Sequence, residues 1–194
     1  TVTEEWNTVR RRMLAVLMTA LLLVPRAAGG GDAAEQAVEE LRAAMAEGEA
    51  ELTALVTAGG QDGTRSEYTL RCVSSAQGSE VEALAPELIA GVRARLDAEG
   101  AALEYEGLIL DAGEVAEGLS PVTALPKLCE ALRTAYVELA WTEGGERVAS
   151  LVPEDELGLT LRLDGSGAPV SAEFTSRESG RPLITCRIDG VSLS

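Results

Sequence analysis

Catalysis in this chain would have to run on carboxylates, hydroxyls or thiols, because its 194 residues include no histidine and one lysine, Lys127. Without an imidazole there is no Ser-His-Asp or Cys-His arrangement, and the commonest transition-metal ligand is missing. A single lysine does not by itself make a Ser-Lys or Schiff-base site. The three cysteines, Cys72, Cys129 and Cys186, are odd in number and have no CxxC spacing, so neither a disulfide framework nor a zinc site is signalled. Each sits in an apolar context and reads as a small buried hydrophobe. Gly59, Gly60 and Gly63 fall in a turn between strand-like runs, not at the start of a helix, and so do not read as a phosphate cradle.

Carboxylates are the one catalytic group present in quantity. Glu104 with Glu106, Glu114 with Glu117, and Glu154 with Asp155 and Glu156 have the closeness of an acid/base pair or a Mg²⁺ site. With 32 acidic residues in the chain, such neighbours arise without selection and read as solvated surface. No catalytic residue, metal ligand or cofactor is assigned on this basis, and the expectation is a protein that is not an enzyme. A carboxylate-dependent hydrolase stands third among the functional readings.

Charge narrows the partners. Sixteen Lys+Arg against 32 Asp+Glu leave a formal net charge of −16. A surface this acidic repels phosphate backbones and anionic membranes, which disfavours nucleic acid as a partner. An aromatic content of 3% leaves little for base-stacking or carbohydrate platforms. A Glu, Arg, Ala and Gly bias accounts for much of the composition as coding bias. Charge is concentrated between Asp32 and Glu51, where Arg42 alone offsets Glu35, Glu39, Glu40, Glu47, Glu49 and Glu51. These six glutamates are the candidate partner-binding surface. The leading expectation is a non-enzymatic acidic interaction protein, of the chaperone, inhibitor or immunity-protein kind, engaging a protein with a basic surface. The alternative is an exported or membrane-associated carrier of an apolar ligand, with an N-terminal signal or anchor at residues 10–28.

That alternative rests on the order of residues near the start of the chain. Arg10, Arg11 and Arg12 precede an apolar run from Met13 to Val24 and the small residues Ala27 to Gly31, which is the grammar of a secretory signal. The same stretch reads first as a packed helix, with Thr3 as N-cap and Trp6, Val9, Met13, Val16, Leu17, Ala20, Leu21 and Val24 on one stripe. The run from Met13 to Val24 is shorter than the roughly 20 residues of a transmembrane helix. Free thiols favour a reducing compartment, and the expected location is cytoplasmic, with export as the alternative.

The elements that position these residues predict one α+β domain over residues 1–194, with possible sub-units 1–118, rich in helix, and 119–194, an antiparallel meander. Asp32 caps a helix to about Ala46 whose buried face carries Val38, Leu41 and Met45. Residues 52–57 and 66–73 alternate and read as a hairpin. Leu84, Leu88, Ile89, Val92 and Leu96 recur at three and four, which predicts a helix over 79–99. A short strand over 102–110, a loop over 115–121 and a helix over 123–134 follow, with Pro126 in the helix's first turn and Leu125, Leu128 and Leu132 inward. Five strands, over 136–141, 146–152, 157–163, 170–175 and 183–188, complete the chain. The apolar face of this sheet is expected to hold Val137, Leu139, Trp141, Leu157, Leu159, Leu161, Leu163, Phe174, Ile184 and Ile188. The fold expected is a mainly antiparallel sheet covered on one face by three to four helices.

Overall fold

The computed structural model describes residues 30–46, 48–59, 64–98, 100–105, 108–111 and 118–194. Helix α1 spans Gly30–Ala46, with Asp32 in its first turn where the helix dipole favours a carboxylate. Its inner face is Ala34, Ala37, Val38, Leu41 and Met45, at spacings of three and four, all buried. Helix α2 spans Pro121–Thr134 and is capped by reciprocal bonds: Ser120 Oγ accepts from Thr123 N at 3.2 Å, and Thr123 Oγ1 accepts from Ser120 N at 2.8 Å. Pro121 stands at the first helical position, where a missing N–H costs nothing.

Among the described residues, eleven strands form one sheet. They are β1 (Ala50–Gly59), β2 (Arg65–Ser75), β3 (Gly78–Ala85), β4 (Arg93–Asp97), β5 (Gly100–Tyr105), β6 (Leu108–Asp111), β7 (Tyr136–Glu143), β8 (Glu146–Glu154), β9 (Leu157–Leu163), β10 (Pro169–Ser176) and β11 (Pro182–Leu193). The order across the sheet is β6-β5-β4-β3-β2-β1-β11-β10-β9-β8-β7, and the neighbouring strands pair antiparallel. The chain therefore runs outward from β1 to one edge, crosses the sheet face through α2 to the other edge, and returns until β11 closes on β1. Short turns make this possible. At β7–β8, Glu143 pairs with Glu146 across Gly144 and Gly145, whose φ values of 61° and 90° are those of the two-residue hairpin turn that matches strand twist.

Both helices lie on one face, and the core is the layer between. Leu159, Leu161, Leu163 and Phe174 rise from the sheet to meet Val38, Met45, Leu125, Leu128 and Leu132, all fully buried. Each such side chain contributes on the order of 2 kcal/mol by leaving water. Two arginines hold the helices' C-terminal ends in place. Arg42 donates to the carbonyls of Leu132 and Ala135 at 3.1 and 2.7 Å and to Glu39 at 2.7 Å. Arg133 donates to the carbonyl of Met45 at 3.1 Å.

The fold departs from the sequence expectation in its helices. Two α-helices and one 3-10 turn, Glu87–Ile89, are present among the described residues, not three to four covering helices, and the antiparallel sheet runs through most of the chain. The helix expected over residues 79–99 is β3, that turn and β4. Its supposed inner face does not exist: Leu88 is 91% and Leu84 43% exposed, while Val81, Ala83 and Ala94 are the buried residues, at strand spacing. Pro86 disfavours helix at Ala85 and breaks any helix through this point. Further along, Gly100–Tyr105 and Leu108–Asp111 form the two strands β5 and β6. Pro126 lies inside α2 and not in its first turn, because the cap is at Ser120. Leu139 was expected inward but is 59% exposed, since a bulge between Val137 and Leu139 resets the alternation of β7. The remaining alternating leucines, Phe174, Ile184 and Ile188 are buried as expected. Residues 1–29, on which the helix-or-signal question falls, lie outside the described residues.

Candidate functional site

Among the described residues, the helices do not cover the sheet evenly. α1 packs on β7 and β8, and α2 on β1, β2, β3, β8 and β11. Beyond β3 the apolar face continues onto β4 and β5, where Ala94, Leu96 and Leu103 lie past the body of α2. Ile89 and Val92, between β3 and β4, form a rim on one side. The first turn of α2, with Ser120, Pro121, Val122 and Thr123, forms the opposite wall. The result is a cleft of about 420 Å³, floored by Tyr68, Leu70, Val81, Ala83, Ala94 and Leu96. That volume falls within the ordinary range for small-molecule sites.

Small side chains make the space. Ala83 and Ala94 stand on adjacent strands, where leucines or valines would have filled the depression. Among the described residues the lining holds no charged side chain. Its polar groups are largely committed elsewhere: Thr123 Oγ1 donates to the carbonyl of Gly118 at 2.8 Å, and the Ser120 hydroxyl is engaged in the cap. The cleft therefore offers shape and apolar surface, which favour a water-averse ligand without fixing a polar headgroup. Among the described residues no buried side-chain nitrogen or oxygen is left without a partner.

The six glutamates singled out from the sequence are dispersed. Glu35, Glu39 and Glu40 are exposed on α1, where Glu39 meets Arg42 and Glu40 accepts from Gln36 at 2.8 Å. Glu49 is exposed before β1. Glu51 points to the other face of the sheet, where Arg71 binds both its oxygens at 2.8 and 2.9 Å and holds its carboxyl below the usual carboxylate range. Glu47 lies outside the described residues. Of the carboxylate groups, Glu104 is exposed, Glu154 pairs with Lys127, and Asp155 and Glu156 are exposed in the β8–β9 turn. Glu106, Glu114 and Glu117 lie outside the described residues. No group of three acidic or cysteine side chains suited to a metal occurs among the described residues.

Residues of the cleft carry strand and helix-start signals in the sequence. Glu80-Val81-Glu82-Ala83 and Arg93-Ala94-Arg95-Leu96 alternate as strands do, and Ser120-Pro121-Val122-Thr123 is a helix start. The void itself has no sequence signal.

No family model matches this chain, and no curated protein does. Solved structures are similar at low identity. One is the LolA superfamily protein NE2245 from Nitrosomonas europaea, 12% identical, covering 86% of this chain and 94% of that one with a TM-score of 0.44. Another is described as a putative outer membrane lipoprotein-sorting protein domain from Vibrio parahaemolyticus, at 13%, 83%, 93% and 0.44 in the same order. A third is a chain in the complex of the CwlD amidase with the GerS lipoprotein from Clostridioides difficile, at 13%, 82%, 92% and 0.38.

The expected cytoplasmic location is corrected. One of the similar structures is described as a putative outer membrane lipoprotein-sorting protein domain. The free thiols that had favoured a reducing compartment are fully buried core atoms, so packing accounts for them and they carry no information about compartment. No helix among the described residues is long and apolar enough to cross a membrane.

Proposed function

We propose that the protein is a carrier that holds an apolar ligand in the cleft between β2–β5 and the first turn of α2. The observation that supports this reading is the cleft itself: about 420 Å³ of space whose lining, among the described residues, is largely apolar and uncharged. Binding draws on burial of the ligand's hydrocarbon surface, roughly 0.8 kcal/mol per methylene removed from water. The order of basic, apolar and small residues over 10–28 goes with an exported carrier.

The test is binding of the uncharged fluorescent probe N-phenyl-1-naphthylamine, displaced by a straight-chain lipid. Wild-type protein should enhance the probe's fluorescence, and Ala94→Trp, which puts an indole into the floor, should weaken binding by about tenfold or more, ~1.4 kcal/mol. Equal binding by wild type and Ala94→Trp would sink the reading, as would no binding by wild type.

A further inference from the structure

Tyr68, in the floor of the cleft, carries a hydroxyl that the fold does not use. Tyr68, Leu70 and Cys72 alternate on the helix-facing side of β2, and Tyr68 is the half-buried member of the three. It stands opposite Val56 of β1 and packs against the core. Among the described residues its hydroxyl makes no hydrogen bond, and every buried side-chain oxygen there has a partner. The Tyr68 oxygen is therefore open to molecules from solvent.

The other hydroxyls of the lining are committed to the cap of α2. Ser120 Oγ and Thr123 Oγ1 lie 3.1 Å apart, Ser120 Oγ accepts from Thr123 N, and Thr123 Oγ1 donates to the carbonyl of Gly118 at 2.8 Å. Leu70, Val81, Ala83, Ala94 and Leu96 of the floor have no polar side-chain atom to offer. A ligand's polar group thus meets one uncommitted side-chain donor, the phenol.

We infer that Tyr68 is a specificity-determining residue of the cleft, donating its hydroxyl proton to the carbonyl oxygen of an ester on an otherwise apolar ligand. This rests on the carrier reading and names the polar group the carried ligand bears. A plain hydrocarbon displaces water from the phenol and gives nothing in return, leaving a polar group unpaired. A carboxylate finds no cation among the described lining residues, and burying an unpaired charge costs more than burying an unpaired dipole. An alcohol or a secondary amide brings a donor of its own, and the Ser120 and Thr123 oxygens are already engaged. An ester presents acceptors only, so one bond from Tyr68 satisfies both partners. A neutral hydrogen bond of this kind is worth a factor of about three to ten in affinity.

The test compares wild type and Tyr68→Phe against dodecane and methyl dodecanoate, each read by displacement of N-phenyl-1-naphthylamine and corrected for the variant's own affinity for the probe. Tyr68→Phe should weaken the ester about three- to tenfold relative to dodecane, and dodecane should bind the variant at least as well as wild type. Sodium dodecanoate should compete less well than the methyl ester for wild type. If the variant weakens ester and alkane alike, or neither, the role of Tyr68 is overturned while probe binding, and with it the carrier reading, stands. Dodecanoate binding as tightly as the ester would overturn the uncharged ligand. No probe binding by wild type would overturn both readings.

Discussion

Arg133 on α2 grips Ser74 on β2 by both of the serine's polar groups, donating from Nη1 to the hydroxyl at 3.0 Å and from Nη2 to the carbonyl at 2.9 Å. Its Nε meanwhile donates to Met45, the penultimate residue of α1. One guanidinium thus joins two helices to the sheet. Ser74 is one of the few buried polar residues, and its hydroxyl also meets Ser79 at 2.9 Å.

Arg133→Met should therefore be destabilising by about 2–4 kcal/mol, because hydrogen bonds from a charged donor are lost and buried acceptors are left unpaired. Arg133→Lys should recover little, since an ammonium cannot supply the planar fork that reaches three acceptors. Urea unfolding midpoints of the two variants check this, and a lysine variant as stable as wild type would contradict it.

The cleft and the closed core should respond oppositely to the same substitution. Ala94 is buried but lines the cleft, whereas Ala124 on α2 is enclosed in the core. Ala94→Phe should change stability by less than about 1 kcal/mol, while Ala124→Phe should cost about 1–3 kcal/mol through overpacking. Denaturant unfolding of both variants decides. Equal losses would mean that the floor of the cleft is as closely packed as the core.

How far the fold could be read from the residues depended on which signal each segment carried. Leu157 to Leu163 alternates without interruption, and there register and burial both follow from the pattern. Segment 79–99 carried two patterns at once. Leu84, Leu88, Val92 and Leu96 mimic a helix because two exposed leucines, Leu84 and Leu88, happen to fall in period with the half-buried Val92 and Leu96, while the true strand signal rests largely on alanines too small to stand out. The cleft was illegible for a different reason. It is made by where α2 ends relative to β4 and β5, and that relation exists only after the chain has crossed the sheet.

The cap of α2 is also a wall of the cleft, so weakening it should be felt twice. Ser120→Ala removes the acceptor for Thr123 N and should cost about 1 kcal/mol. Because Ser120 to Thr123 line the cleft, binding of the naphthylamine probe should weaken in the same variant. Ser120→Asp restores a capping acceptor and should restore both properties. A variant that loses stability but binds the probe unchanged would separate the cap from the site.

Acid should act on the turn between β9 and β10 through Asp164. Its Oδ1 accepts from Ser166 Oγ at 2.6 Å, Ser166 N at 2.7 Å and Ala168 N at 3.1 Å. Bonds from Ser166 and Ala168, the Ser166 hydroxyl foremost, hold its carboxyl below the ordinary 3.8. A carboxylate favoured in the folded state stabilises that state above its unfolded value, and the contribution fades as pH falls through the lower folded one. Asp164→Ala should therefore have a lower thermal midpoint than wild type near neutral pH. The gap should narrow only when pH falls below 3.8. A gap of constant size from neutral pH down into that acid range would show that the side chain acts there through packing or turn geometry and not through its charge.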